Sequence, residues 1–142
     1  MKILLIALIN LFIVNSAFAS IKGMPREKRD KLYWEGMKKT PENARWFIPE
    51  NTIRCSSKEN LKTAYSHAMN RNGIVDKDFL FNLNCGTGGQ WSVGLVSEAP
   101  EEGSKIVQLV YALAPSATPT SYGYFHLSSL MTVEQREAMR IN

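Results

Sequence analysis

Few side chains in this chain could do chemistry: two histidines, His67 and His126, and two cysteines, Cys55 and Cys85. A cysteine hydrolase needs a thiolate beside a histidine base. Cys85 ends a predicted strand, where no helix dipole activates a thiolate, and Cys55 competes for it as a disulfide partner. His67 falls off the apolar stripe of its predicted helix, which favours a solvent-facing position. These residues therefore predict no thiol catalysis.

The same residue types indicate neither a metal site nor a cofactor site. The two histidines are far apart, and C-x-x-C and H-x-x-x-H spacings are missing from the sequence. The run Gly86-Thr87-Gly88-Gly89 lacks the lysine and the following helix of a phosphate-binding loop. We expect no metal and no cofactor, and we interpret these glycines as a turn between two strands.

The N-terminus has the parts of a secretory signal: Lys2, an apolar run from Ile3 to Val14, and the small-residue site Ala17-Phe18-Ala19. We predict a signal peptide over residues 1–19 and a single domain over residues 20–142. The apolar run is shorter than the roughly 20 residues of a membrane span, and no second run follows it. This pattern is typical of a bacterial protein that is periplasmic or secreted, with no membrane span after cleavage.

Export also bears on the cysteines. In an oxidising compartment an even count favours a bridge, so we predict a Cys55–Cys85 disulfide. Closing a loop of about 30 residues is expected to stabilise the fold by roughly 3–4 kcal/mol.

Three helices are predicted from apolar periodicity and capping residues. Pro25 begins a helix that continues to Lys39, with charged residues on its outer face. Ser56-Ser57-Lys58-Glu59 matches a capping box for a second helix, which Asn72-Gly73 should end. Thr132 with Gln135 caps a short terminal helix through Arg140. The residues Trp46, Phe47 and Ile48, between the first two helices, are expected in an irregular connector.

The period changes to two after the second helix, which predicts four strands: about Asp78 to Asn84, Gln90 to Ser97, Ser104 to Leu113, and Ser121 to Ser129. The first two should form a hairpin about the glycine turn. The predicted fold class is α+β, with the N-terminal helices packed on one face of a four-stranded antiparallel meander and a short C-terminal helix.

The predicted sheet has two unlike faces. The face that we expect to bury against the helices collects the apolar members of the strands: Phe79, Phe81, Leu83, Trp91, Val93, Leu95, Val107, Leu109, Tyr111, Leu113, Phe125 and Leu127. The other face is mixed, and we expect it to bind a partner protein through Tyr122, Tyr124, His126, Asn82 and Gln108. Tyrosines beside small polar residues are typical of protein-binding surfaces.

The resulting prediction is an exported, non-enzymatic protein-binding domain, such as an inhibitor, an immunity factor or an accessory protein of envelope assembly. A basic front half, from Ser20 to Arg71, leaves open an acidic partner, an anionic membrane surface or nucleic acid. The alternative function is a small secreted hydrolase or a ribonuclease-like toxin that uses His126. Helices followed by a four-stranded sheet resemble the architecture of small microbial ribonucleases, but the strands offer His126 with Lys105 and no well-placed glutamate or arginine.

Overall fold

The computed structural model describes residues 21–88, 92–98, 100–112 and 119–141. The predicted signal peptide, the predicted first mature residue Ser20, and the predicted core residues Trp91 and Leu113 lie outside this part. The described residues form an α+β fold with four α-helices and a seven-stranded antiparallel sheet, which confirms the predicted class. None of these helices combines the length and the apolar character that crossing a membrane requires.

The helices are α1 (Arg26–Lys39), α2 (Lys58–Met69), α3 (Lys77–Asn82) and α4 (Val133–Ile141). The strands are β1 (Arg45–Ile48), β2 (Thr52–Cys55), β3 (Cys85–Gly88), β4 (Ser92–Glu98), β5 (Ile106–Ala112), β6 (Thr120–His126) and β7 (Met131–Thr132). Their order across the sheet is β3-β2-β6-β5-β4-β1-β7.

Local capping signals located three of the helices correctly. Helix α1 occupies the predicted range after Pro25. Helix α2 begins one residue later than its capping box suggested, because Ser57 Oγ accepts a hydrogen bond from the Asn60 amide at 3.2 Å. At α4 the predicted pair is reciprocal: the Gln135 amide donates to Thr132 Oγ1, and the Thr132 amide donates to Gln135 Oε1.

The predicted strand from Asp78 to Asn84 is wrong, because this segment contains helix α3. The Asp76 carboxylate accepts hydrogen bonds from the amides of Asp78 and Phe79, which caps the helix. Leu80 is buried, whereas Phe81 is exposed. The alternation of apolar and polar residues matched a strand, but the aspartate cap and the burial of Leu80 favour a helical turn.

The predicted hairpin about the glycine turn is also wrong. Strand β3 pairs with β2, and β4 pairs with β5 and β1, so the two strands lie in different parts of the sheet. The predicted connector around Trp46 is strand β1. Strands β1 and β2 have four residues each, too few for a clear alternation of apolar residues. The remaining meander, β4-β5-β6, is confirmed.

The connection between β1 and β2 forces the sheet to curl. Four neighbour steps separate these strands in the sheet order, which would be about 19 Å in a flat sheet. The chain from Ile48 to Thr52 spans at most about 14 Å, even when fully extended. The sheet therefore bends into a partly closed barrel. At Gly94 the Leu109 side chain occupies the space of a side chain, because a Cβ atom there would lie 2.9 Å from Leu109 Cδ1.

The curl creates an inner core and an outer layer. The inner core consists of side chains from β1, β4, β5 and β6, together with Leu130: Ile48, Val96, Val107, Leu109, Tyr111 and Phe125. On the outer face, α2 contributes Leu61, Ala64 and Ala68 to a cluster with Ile106 and Tyr124. Helix α1 contributes Tyr33 to a second outer cluster with Leu95, Val110 and Ala112.

This layering corrects the predicted packing. Val107, Leu109, Tyr111 and Phe125 do share one face, but the curled sheet buries that face against itself. Helices α1 and α2 pack on the opposite face, which the sequence predicted to lie away from the helices and to bind a partner. All seven residues of β5 are buried, because the sheet and the helices cover both of its faces.

Helix α1 is held on the sheet by contacts to the start of β6. The Asp30 carboxylate accepts hydrogen bonds from the amide and the hydroxyl of Thr120, and the Arg29 guanidinium donates to the Thr120 carbonyl oxygen at 3.0 Å. At the other end of the helix, the Arg45 guanidinium donates to the carbonyl oxygens of Met37 and Thr40. Both ends of α1 are therefore fixed by side chains that also satisfy backbone groups.

Cys55 and Cys85 form a disulfide between directly opposed residues of β2 and β3. Replacing both with alanine should lower the free energy of unfolding by about 2–5 kcal/mol, because the unfolded chain loses a cross-link of 30 residues. Urea unfolding followed by circular dichroism measures this. Reductant should lower the urea midpoint of the wild type and leave that of the double variant unchanged. A wild-type midpoint that does not respond to reductant would contradict the prediction.

Candidate functional site

The predicted binding face does not form an open surface. Tyr122 is half-buried under α1, with the Arg29 guanidinium 5.3 Å from the centre of its ring. Tyr124 is 9% exposed and packs against α2. Gln108 is buried, and its Oε1 accepts a hydrogen bond from Ser97 Oγ at 2.8 Å. The face that was predicted to bind a partner is therefore the face that the apolar stripes of both helices cover.

Asn82 is the predicted binding residue that the structure leaves exposed. It ends helix α3 instead of lying on a strand, so it is not adjacent to the tyrosines on the sheet. Its neighbour Phe81, which was predicted to lie in the core, is 80% exposed. The structure therefore separates the predicted site into a covered part on β5 and β6 and an exposed part on α3.

Tyr124 lies within a charged cluster at the edge of α2. Lys58 Nζ makes ion pairs with Glu98 at 3.0 Å and Glu101 at 3.3 Å, and it lies 5.9 Å from the centre of the Tyr124 ring. Burial and then the negative charge of Glu98 raise the pKa of Tyr124, while the hydrogen bond to Glu98 raises the pKa of Lys58. At neutral pH the phenol is therefore neutral and the ammonium is charged. Neither group is activated as a base or nucleophile.

His126 belongs to a hydrogen-bonded set that links β6 to α2. Its ring stacks on Tyr65 with centroids 4.0 Å apart and an interplanar angle of 2°. Ser128 Oγ lies 2.6 Å from His126 Nδ1 and 2.7 Å from the Tyr65 hydroxyl oxygen. The Ser128 amide also donates to Nδ1, which makes His126 the cap of the 3-10 turn Leu127–Ser129.

This geometry determines the protonation state of His126. A backbone amide can only donate, so Nδ1 must present its lone pair and the imidazole proton must lie on Nε2. Burial, and then the positive charge of Lys105, lower the pKa of His126. The imidazole is therefore neutral at pH 7 and accepts hydrogen bonds through Nδ1. It is a good cap and also a potential general base toward Ser128.

A group of exposed apolar side chains was not expected from the sequence. Three large apolar side chains between the end of α2 and the end of α3 are exposed: Met69 by 58%, Ile74 by 67% and Phe81 by 80%. We call these three residues the apolar patch. Asp76 is the sequence signal for this patch, because an aspartate cap predicts a helix in which Phe81 points away from the buried Leu80.

His67 also lies in this region, where its ring contacts α3. It is partly buried, and its ring stacks on Phe79 of α3 with centroids 3.8 Å apart. The expectation that His67 faces solvent is therefore only partly right, because its ring helps to join α2 to α3. Among the described residues, no three His, Cys, Asp or Glu side chains are grouped closely enough to hold a metal ion.

The stability of the fold should depend on pH through His126. The pKa of this residue is lowered in the folded protein, so the unfolded chain binds the proton more tightly. The contribution of His126 to the free energy of unfolding should be complete above pH 6.5, and it should be lost as the pH drops through the folded-state pKa. His126→Asn keeps a capping oxygen but does not titrate in this range, and should lose this part of the dependence. Urea unfolding between pH 7.5 and 5 compares the two. Parallel pH curves would contradict the prediction.

Comparisons of the chain with protein-family models, curated proteins and solved structures find no match. The candidate site therefore rests on the geometry of this chain alone. That geometry offers two features: the exposed apolar patch, which includes Phe81, and the His126–Ser128–Tyr65 set.

Proposed function

We propose that this chain is an exported, non-enzymatic protein-binding domain, and that its binding site is the apolar patch together with Asn82. The observation that carries the proposal is the 80% exposure of Phe81, a large aromatic side chain on a helix that the fold holds in place. Groups of exposed apolar side chains are typical of interaction sites, and the three residues of the patch lie on one stretch of chain between the end of α2 and the end of α3. Phenylalanine and methionine are also enriched at protein interfaces.

Helix α3 is held at both ends, which supports a binding role for Phe81. The Asp76 carboxylate caps the first turn and also pairs with the Arg71 guanidinium at 3.6 Å. After the last turn, Asn60 Nδ2 donates to the Leu83 carbonyl oxygen at 2.8 Å, and the Cys85 disulfide follows two residues later. A helix that is already ordered loses little conformational entropy when it binds a partner.

The chemistry of the covered face also favours binding over catalysis. Lys58 is paired with two carboxylates, and the pKa of Tyr124 is raised by burial, so this cluster supplies no reactive base. The tyrosines of β6 contact α1 and α2, where they contribute to the fold. The exposed side chains of α3 have no such role, which leaves them available to a partner.

Removing the Phe81 ring should weaken a complex with the partner protein by about 1–3 kcal/mol, as for an aromatic hot spot. The test is a pull-down from envelope extract, followed by titration of the purified partner with wild type, Phe81→Ala and Met139→Ala. Met139 is a matched control, because it is 55% exposed but lies on α4. Loss of affinity with Phe81→Ala alone supports the proposal. Equal loss in both variants, or a complex that neither affects, would reject this surface.

A second candidate function, hydrolysis, rests on one observation: Ser128 Oγ lies 2.6 Å from the neutral His126 Nδ1. In this role His126 would accept the Ser128 proton as a general base. The same contact also has a structural explanation, because Nδ1 caps the turn that contains Ser128.

The two explanations predict different results for Ser128→Ala. A catalytic serine typically contributes several orders of magnitude in rate, whereas a structural Ser128 hydroxyl contributes only its hydrogen bonds to His126 and Tyr65, worth about 1 kcal/mol of stability. Assays with aryl esters, casein and RNA should show no turnover by the wild type if the chain is a binding domain. Turnover that is lost in both Ser128→Ala and His126→Asn, with folding intact, would establish hydrolysis instead.

A further inference from the structure

The excess positive charge of this chain is concentrated along one helix. Residue Lys22 and helix α1 carry six exposed bases and two exposed acids: Lys22, Arg26, Lys28, Lys31, Lys38 and Lys39, with Glu27 and Glu35. The two remaining charged residues of α1, Arg29 and Asp30, bind Thr120. The rest of the chain has equal numbers of bases and acids, so this segment carries the whole formal net charge of +4.

Four of these bases lie on one side of the helix. At 100° per residue, Lys28, Lys31, Lys38 and Lys39 fall within a sector of about 100° that is opposite Tyr33. Tyr33 is buried on the sheet, so this lysine face points outward. Within the described ranges, none of the four lysines makes an ion pair. Their charges are therefore available to a partner.

We infer that the lysine face of α1 binds the anionic headgroups of a phospholipid membrane. From Lys28 to Lys39 the face is a convex strip about 17 Å long, which can lie along a flat charged surface. The apolar side of α1 is used in packing, so attachment is electrostatic and involves no insertion of the helix. Each basic residue near an anionic membrane strengthens binding by roughly fivefold. The apolar patch is on other elements, so the two surfaces are separate.

Nucleic acid is the competing polyanion, and the structure favours it less. Proteins that bind single strands stack bases on exposed aromatic rings. The aromatic residues of α1 do not supply such a platform: Tyr33 is buried, and Trp34 is half-buried with its ring edge-on to Tyr33 at 4.9 Å. A bilayer surface requires only charge, which is what the helix presents.

The test measures vesicle co-sedimentation at 50 mM salt with neutral phosphatidylcholine vesicles and with vesicles that also contain phosphatidylglycerol. One triple variant changes Lys28, Lys31 and Lys38 to glutamine. The matched control changes Lys62, Lys77 and Lys105 to glutamine, which removes the same charge from exposed positions elsewhere. All proteins share the same N-terminus, so residues 1–20 cannot account for a difference between variants.

Wild type should bind the anionic vesicles and be released by 0.5 M salt, where screening is strong. The α1 variant should lose on the order of 100-fold in partition coefficient, and the control should lose much less. Glu27→Gln with Glu35→Gln should strengthen binding, because it removes the two acids on the same side of the helix. Equal losses in both triple variants, no preference for anionic vesicles, or tighter binding to DNA or RNA at the same salt would overturn the inference.

Discussion

The three residues that join β1 to β2 impose the constraint on which the rest of the structure depends. These strands lie four neighbour steps apart in the sheet, yet their ends cannot be separated by more than about 14 Å. The sheet can satisfy both conditions only by curling. Curling brings the inner faces of β1, β4, β5 and β6 together, so their apolar side chains form a core without a helix. A flat sheet with the same strand order would leave that face exposed.

Because the inner face closes on itself, the helices are available only to the outer face. This explains why every residue of β5 is buried and why Tyr124 packs against Leu61, Ala64 and Ala68 of α2. It also explains why polar groups on this face are paired inside the protein. The Tyr124 hydroxyl lies 3.4 Å from Glu98, and Ser128 connects His126 to Tyr65. These contacts bind the layers together and leave little of the face for a partner.

The surfaces that remain available differ in chemistry and in how they are supported. The apolar patch lies on a short helix held by a cap, an ion pair and the disulfide that follows it. The lysine face lies on a long helix, which the Asp30 and Arg29 contacts to Thr120 fix to β6. In both helices, packing determines the residue types on the buried side. The outward side is free of that requirement, so it can carry residues that bind a partner.

The sequence by itself determined the features that depend on neighbouring residues. The capping signal before α2, one residue short of the actual cap Ser57, the cap at Thr132, the period of α1, and the alternation in β4, β5 and β6 are local, so they could be identified without a structure. The cysteine pairing was also predictable, because only one pairing of two cysteines exists within a chain. The recurrence of Phe79, Phe81 and Leu83 at every second position was misleading, since a short capped helix and a strand give similar patterns over six residues.

Only the tertiary structure decided which faces are buried and which strands are neighbours. Strands β1 and β2 pair with partners that are distant in sequence, and four residues contain too little periodicity to reveal either the strand or its register. The direction in which the sheet curls depends on the sum of these pairings. In the folded protein Tyr124 and Gln108 are buried, whereas Phe81 and Asn82 are exposed. The candidate binding site therefore lies on α3 instead of β6. Local periodicity cannot predict this, because either apolar face of a two-sided sheet can receive a helix.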